Sequence, residues 1–156
     1  MDQFKQNWTD SLNDDKRVNL NSKNKLTTYR KFKSIFKLEP YLLFGTKQRR
    51  KLLTKFRISA HNLNIEKGRY IGTKVEDRIC NLCKNNIEDE VHFLIICPLL
   101  EKFREPYIKN IKATYKNFSL LSDENKLIWL LSSEDKQIII QLFGLLSTLF
   151  LERDKK

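Results

Sequence analysis

The chain has 156 residues with 40% hydrophobic content, 4 Gly and 3 Pro, and a formal net charge of +11. This length predicts one domain with a modest core. So few Gly and Pro residues, in a chain rich in Lys, Leu and Ile, disfavour a fold built from β-hairpins and predict a mainly α-helical one. All the excess charge lies in residues 1–78, which hold 19 basic and 8 acidic residues. A polyanionic partner, usually nucleic acid and less often an anionic membrane, is therefore predicted, unless the charge serves only solubility.

The first 25 residues are expected to form a helix and a linker ahead of the main domain. Phe4, Trp8 and Leu12 recur every four residues, which is typical of a short amphipathic helix over residues 2–13. Residues 13–25 are rich in Asn, Asp and Ser and lack apolar periodicity, as linkers do. We therefore divide the chain into residues 1–25, loosely attached, and a single helical domain over residues 26–156.

Aromatic residues and cations alternate at the start of the main domain. Tyr29, Phe32, Ile35 and Phe36 fall at helical intervals, so residues 26–36 are predicted to form a helix. We expect its rings to lie in the core; the alternative is that they stack on bases while the neighbouring cations meet phosphates.

The next helix, over residues 47–62, is the most basic part of the chain. Thr46 is a candidate N-cap, and six of the eleven residues from 47 to 57 are basic while none is acidic. Its apolar side would hold Leu52 and Phe56, opposite a cationic side that either binds phosphates or is merely solvated. Gly68 and Gly72 predict a loop that carries further cations. The residues predicted to contact phosphates are Lys47, Arg49, Arg50, Lys51, Lys55, Arg57, Lys67 and Arg69.

Three cysteines and a histidine lie within eighteen residues. Cys80, Cys83, His92 and Cys97 have the spacing C-x2-C-x8-H-x4-C, which completes a tetrahedral Zn²⁺ shell with no open position and so predicts a structural metal. The alternatives are a disulfide or three free buried thiols. The opening MDQFKQNW has no apolar signal-peptide region, which disfavours the disulfide and favours a reducing compartment, nucleus or cytoplasm. His61 is expected to be a hydrogen-bonded structural residue rather than a fifth ligand.

The zinc module, residues 78–98, has a predicted local geometry. The two residues between Cys80 and Cys83 are expected to make a tight turn, after which Asn86 would cap a short helix with an acidic first turn. His92 would project from this helix. Because residues five apart do not share a face of an α-helix, the helix is expected to end before Cys97, and the proline that follows fits such an ending.

The last third of the chain is predicted to be helical. Pro106 is expected to kink a helix or to divide it in two near Glu105, and Ser122 and Ser133 are candidate starts for the last two helices. The final helix carries an apolar run over residues 138–151, shorter than the roughly 20 residues that span a bilayer, so no membrane span is expected. We predict a buried helix; the alternative is a helix that forms a homodimer or docks on a protein partner.

Residues 51–107, which contain LTKFRISAHNLNIEKGRY, the four predicted Cys and His ligands and CPLLEKFREPY, resemble the zinc-binding region that follows the polymerase in non-LTR (LINE-type) retrotransposon reverse transcriptases. The resemblance implies a CCHC zinc site in a nucleic-acid-binding context, with RNA or DNA as partner. It covers no polymerase: the metal-binding aspartate pair on a β-hairpin that polymerisation needs does not occur, since Asp14 and Asp15 sit in a polar linker.

These observations predict a zinc-stabilised nucleic-acid-binding domain related to the C-terminal region of a retroelement reverse transcriptase. We expect no enzyme, because the metal shell is full and no nucleophile with a nearby base can be named. The alternative is a zinc-stabilised protein-interaction or scaffold domain that uses its C-terminal apolar helix.

Overall fold

The computed structural model of the chain describes residues 2–13 and 26–155. Within those residues the fold is helical and contains no β-strand, which confirms the predicted class. None of the described helices is long and apolar enough to span a membrane. The α-helices are α1 (Asp2–Asn13), α2 (Thr27–Arg30), α3 (Lys47–Arg57), α4 (Asn64–Tyr70), α5 (Glu101–Thr114), α6 (Asp123–Ser132) and α7 (Lys136–Asp154). Short 3-10 helices cover Pro40–Leu43, Val75–Asp77, Pro98–Leu100 and Lys116–Leu120, and a π-helix covers His92–Ile96.

The apolar helix α7 lies at the centre of the fold. It packs against α3, α5 and α6, and the side chains that it buries are Ile138, Ile139, Leu142, Phe143, Leu145, Leu146, Leu149 and Arg153. Gly144 allows α5 to approach, because a Cβ there would lie 2.5 Å from Cε1 of Tyr107. The prediction of a buried C-terminal helix is confirmed. Its start is corrected: Asp135 rather than Ser133 is the N-cap and accepts hydrogen bonds from the backbone N–H groups of residues 137 and 138.

Helix α3 begins where predicted and ends earlier. The Thr46 hydroxyl caps it by accepting from the Arg49 N–H. The helix stops at Arg57 because Ser59 adopts the left-handed conformation at φ 51°. The Ser59 N–H then donates to the Phe56 carbonyl oxygen at 3.3 Å, and the Ala60 N–H donates to the Lys55 carbonyl oxygen at 2.7 Å. These two hydrogen bonds form a Schellman motif. Residues 58–62 therefore belong to a connection, and Leu53 rather than Leu52 is buried beside Phe56.

The segment before α3 is less helical than predicted. Only Thr27–Arg30 is α-helical, and the expected helix over residues 26–36 does not continue. The ring of Phe36, 42% exposed, contacts α1, where its centroid lies 5.4 Å from that of Phe4 and 5.6 Å from that of Trp8. The predicted helix over residues 2–13 is confirmed, whereas residues 14–25 of the predicted linker lie outside the described residues.

Two residues that were expected to interrupt helices lie within them, so neither residue divides a helix in two. Gly68 lies inside α4, where it leaves room for Arg78: a Cβ at Gly68 would be 2.6 Å from Cγ of that arginine. Pro106 lies inside α5, which runs as one element from Glu101 to Thr114. The predicted start of α6 is confirmed, since the Ser122 hydroxyl accepts from the Asn125 N–H at 3.3 Å.

Candidate metal centre

The four predicted ligands converge. The ligand atoms of Cys80, Cys83, His92 and Cys97 all lie within 4.8 Å of one another. Two of the sulfurs, those of Cys80 and Cys97, are 4.0 Å apart, and Nε2 of His92 lies 3.3 Å from the sulfur of Cys83. The cysteines are free thiols, and the sulfur separation is about twice an S–S bond, so the disulfide alternative does not hold. This group could hold a metal ion.

A tight turn presents the first two ligands, as predicted. The Lys84 N–H donates to the carbonyl oxygen of Cys80 at 3.0 Å, and Lys84 itself adopts a positive φ of 59°. Beyond the turn the chain runs back antiparallel to itself: Cys80 N–H donates to the Asn86 carbonyl at 2.8 Å, and Ile79 bridges to Ile87. The backbone hydrogen bonds hold both sulfurs on one side of this knuckle, which we define as residues 78–88.

A π-helical turn presents the other two ligands. The helical turn begins at Glu90, and Asp89 caps it: the Asp89 carboxylate accepts from the His92 N–H at 2.8 Å. Asn86, which was predicted to be the cap, lies in the knuckle instead. The helix ends at Ile96, so Cys97 lies just beyond it, as predicted. The last turn is π-helical, because the Cys97 N–H donates to the His92 carbonyl at 2.7 Å, an i to i+5 bond. This wider turn brings two residues five positions apart to the same point.

Burial sets the protonation of these groups. Cys80, His92 and Cys97 are at most 3% exposed, whereas Cys83 is half-buried. Burial raises the pKa of the Cys80 thiol to about 12, raises the pKa of Cys97 and lowers that of His92. Burial opposes ionisation of Cys83 as well, but hydrogen bonds, first from the Asn85 backbone, lower the pKa of its thiol. A cation at the centre would stabilise the thiolates that burial alone disfavours.

A buried carboxylate lies behind Cys80. Glu88 is fully buried, and its Oε1 is 4.0 Å from the Cys80 sulfur. Its two oxygens accept from the guanidinium of Arg153 at 2.7 and 2.8 Å, and Oε2 also accepts from the Asn64 N–H at 2.8 Å. The knuckle is thereby joined to both α7 and α4.

A buried arginine lies behind Cys97. Arg104 is 7% exposed, and its Nη2 donates to the Cys97 carbonyl oxygen at 3.1 Å, while Nε has no partner in the described part of the chain. Unlike Arg57 and Arg153, which pair with carboxylates, Arg104 makes no ion pair within residues 2–13 and 26–155. Burial lowers the pKa of this guanidinium. Nδ1 of His92 is likewise buried without a partner among the described residues, and Nε2 is the ring nitrogen that faces the Cys83 sulfur.

His61 stands apart from the centre, as predicted. Its Nε2 donates to Oε1 of Glu90 at 3.0 Å, and its Nδ1 accepts from the Leu63 N–H at 3.4 Å. The Ser59 hydroxyl donates to the same Glu90 oxygen at 2.7 Å. Both ring nitrogens are therefore occupied, and His61 orders the connection after α3.

The predicted phosphate-binding residues divide by exposure. Lys47, Arg49, Lys51, Lys55 and Lys67 are exposed. Arg50 and Arg69 are half-buried, the first donating to the Gly45 carbonyl at 2.9 Å and the second to Glu66 at 2.7 Å. Among the described residues, the cations of α3 from Lys47 to Lys55 have no carboxylate partner.

Arg57 does not belong to the exposed set, and this corrects its assignment as a phosphate contact. It is 4% exposed and donates to Glu39 at 2.7 Å and to the Leu131 carbonyl. Its guanidinium carbon lies 4.6 Å from the ring centroid of Phe32 and 4.9 Å from that of Tyr41. The sequence holds a signal for this role, because Arg57 follows Leu53 by four positions and so lies on the apolar side of α3.

Comparisons with known proteins add no assignment: no family model, no curated protein and no solved structure matches this chain.

Proposed function

We propose that this chain is a zinc-stabilised nucleic-acid-binding domain, related to the zinc-binding region of retroelement reverse transcriptases and without catalytic activity of its own. The observation that carries the proposal is the row of exposed lysines on α3, Lys47, Lys51 and Lys55, which have no carboxylate partner among residues 2–13 and 26–155. The same fold gathers three thiols and an imidazole. We place it in a reducing compartment, nucleus or cytoplasm, because its thiols are free.

The donor set supports Zn²⁺ as the metal. Three sulfurs and one imidazole nitrogen are soft and borderline ligands that suit zinc, and four of them fill a tetrahedral shell. Once bound, Zn²⁺ with three thiolates and a neutral imidazole carries one net negative charge. The buried guanidinium of Arg104, which has no carboxylate partner in the described part of the chain, is placed to offset that charge. A closed centre of this kind stabilises the fold and performs no chemistry.

The surface of α3 supports a polyanionic partner. Lys47, Lys51 and Lys55 succeed one another every four residues on an exposed side of the helix, and Arg49 is exposed at its start. Basic side chains that form no ion pair with a carboxylate in the folded protein remain available to bind phosphates. Because such contacts read no bases, binding would be governed by the nucleic-acid backbone, whether RNA or DNA.

The scaffold alternative has less support. Leu145 and Leu149 are fully buried in the chain's own core. In residues 138–151 only Ile140, at 41%, and Leu151, at 61%, are large apolar residues counted as exposed. Helix α7, which the scaffold alternative needs for a dimer or a partner, is therefore already packed against α3, α5 and α6.

Two measurements test the proposal. Native mass spectrometry of the purified protein should find one Zn²⁺ per chain, and Cys80→Ser or His92→Ala should lose the metal together with the fold, because structural zinc supplies folding energy. Fluorescence anisotropy with RNA and DNA oligonucleotides should show binding that weakens by orders of magnitude between about 50 and 200 mM salt. A chain that stays folded after chelation would refute the zinc assignment, and binding that is absent or indifferent to salt would refute the nucleic-acid assignment.

A further inference from the structure

Two neighbouring exposed side chains lie at the C-terminal end of α4. Tyr70 is 71% exposed and Ile71 is 79% exposed. The next residue, Gly72, has a φ of +73°, and a Cβ there would meet nothing within 4 Å, so this position of the turn faces open space. Exposed apolar residues that adjoin one another call for an explanation in a way that single ones do not.

This turn is held rigidly from its inner side. The Thr73 N–H donates to the Gly68 carbonyl oxygen at 2.8 Å. The buried side chain of Arg78 then donates to the Thr73 carbonyl from Nε and Nη2, at 3.0 and 2.8 Å, and to the Ile65 carbonyl from Nη1 at 2.8 Å. Gly68 provides the space that Arg78 occupies. The exposure of Tyr70 and Ile71 is therefore a property of an ordered turn, so a ligand that binds there pays little ordering entropy.

The Tyr70 ring is oriented by a cation. The guanidinium carbon of Arg69 lies 5.0 Å from the ring centroid, and Arg69 is fixed in turn by Glu66, whose Oε2 accepts from Nε and Nη2 at 3.2 and 2.7 Å. Lys67 and Lys74 are exposed on either side of the turn in sequence. An aromatic ring with a cation against it and further cations beside it is the arrangement that stacks on bases while meeting phosphates.

We propose that Tyr70 and Ile71 contact unpaired bases of single-stranded nucleic acid, with Lys67 and Lys74 on the flanking phosphates. The inference rests on the proposed function and narrows its substrate class. A base in a duplex is already stacked on its neighbours, whereas a base in a single strand offers its face to the ring at no unstacking cost. The exposed acids Glu76 and Asp77 follow the turn and would oppose a polyanion, so their neutralisation should strengthen binding.

The experiment compares three probes by fluorescence anisotropy with the zinc-loaded full chain: an oligothymidine, an abasic strand of the same length, and a duplex. Tyr70→Ala should weaken binding to the oligothymidine by about fivefold to a hundredfold and leave binding to the abasic strand and the duplex unchanged. Tyr70→Phe, which keeps the ring, should bind as the wild type does. Leu120→Ala is the matched control, because Leu120 is an 83% exposed apolar residue elsewhere on the surface.

The outcomes separate this inference from the proposed function. If Tyr70→Ala and Ile71→Ala bind the oligothymidine as the wild type does, while neutralising the α3 lysines weakens binding, the stacking inference is wrong and the proposed function stands. If the wild type binds none of the probes, both fall. If Tyr70→Ala abolishes binding to anionic phospholipid vesicles but not to the oligothymidine, the turn meets a membrane surface and the inference is overturned. Circular dichroism and zinc content of each variant show that the fold is retained.

Discussion

The carboxylate of Glu88 and the guanidinium of Arg153 form a two-point ion pair at 2.7 and 2.8 Å, although the residues lie 65 positions apart in the chain. Their side chains are 1% and 4% exposed. The hydrogen bond to Glu88 raises the pKa of Arg153. Since Glu88 also approaches the sulfur of Cys80, this pair joins the end of the last helix to the knuckle that carries Cys80 and Cys83.

Arg153→Met should therefore destabilise the protein severely. Removing one partner of a buried pair leaves the other charge without compensation, at a cost of about 3–5 kcal/mol, and Glu88→Gln should act in the same direction. The double variant should recover part of the loss, because it leaves no isolated charge. Urea unfolding of the zinc-loaded protein measures these differences.

The control for this prediction is Lys126→Met, which breaks the more exposed pair with Asp123. Exposed pairs contribute about 0–1 kcal/mol, so this variant should unfold close to the wild type. An Arg153→Met protein as stable as the wild type would show that the buried pair is not what holds α7 to the knuckle.

Local spacing was enough to predict the cluster of three Cys and one His side chains, the helical class and the caps at Thr46 and Ser122, because each of these depends on residues a few positions apart. Contacts between distant segments were not predictable in this way. Glu88 was expected in the first turn of a helix and is instead the buried partner of Arg153.

Two further errors have the same origin. Arg57 was taken for a surface cation because its partner, Glu39, is 18 positions away and on a different element. The π-helical turn at His92–Ile96 was missed because hydrophobic periodicity indicates a helix without distinguishing an i+5 turn from an i+4 turn. Sequence reasoning therefore found the donors of the centre and not the charges packed around it.

Arg104 and Cys83 should be coupled through the charge of the metal centre. With Zn²⁺ bound as proposed, Arg104→Met removes the cation beside a centre with one net negative charge and should lower zinc affinity by about 10- to 100-fold. Cys83→His would leave two thiolates and two imidazoles, which make the centre neutral. Arg104→Met should then cost much less in the Cys83→His background, and competition with a chromophoric chelator measures all four affinities.

Arg104→Lys is the control for that cycle, since it keeps the charge and should retain most of the affinity. Cobalt substitution would show by its absorption spectrum that Cys83→His still binds metal with four ligands. Equal losses from Arg104→Met in both backgrounds would mean that Arg104 acts through its hydrogen bond to the Cys97 carbonyl and not through its charge.

Glu90 should contribute stability that depends on pH. Burial alone would raise the pKa of this carboxyl, but hydrogen bonds from His61 and Ser59 outweigh burial and hold the pKa below its usual 4.5. A carboxyl whose pKa is lowered by folding stabilises the protein fully above the unfolded-state pKa, and the contribution is lost as the pH falls through the folded-state value. Glu90→Gln should therefore cost roughly 1.5–3 kcal/mol at neutral pH.

The measurement is the difference in unfolding free energy between wild type and Glu90→Gln at saturating zinc. In acid, protonation of the ligands would release zinc from both proteins alike. The difference between their unfolding free energies therefore reports the contribution of Glu90 alone. It should stay constant through the neutral range and begin to shrink only as the pH approaches 4.5. A difference that grows on acidification would contradict the assigned direction of the pKa shift.

Neutralising α3 should change the salt dependence of nucleic-acid binding and not only its strength. Each phosphate contact contributes about 0.9 to the slope of log affinity against log salt for a duplex, and about 0.7 for a single strand. The triple variant Lys47→Gln, Lys51→Gln and Lys55→Gln should therefore flatten the slope by roughly 2 to 3 if all three lysines meet phosphates. A salt titration by fluorescence anisotropy measures it.

The matched control is Lys109→Gln, Lys112→Gln and Lys116→Gln, which removes the same charge from three exposed lysines outside α3. This second triple variant should leave the slope close to that of the wild type, because the slope reports counterions released at the contact and not the net charge of the protein. Equal flattening by the two variants would mean that α3 has a merely solvated cationic face. A flatter slope for the α3 variant alone would locate the phosphate contacts on that helix, where the lysines lie exposed without carboxylate partners among the described residues.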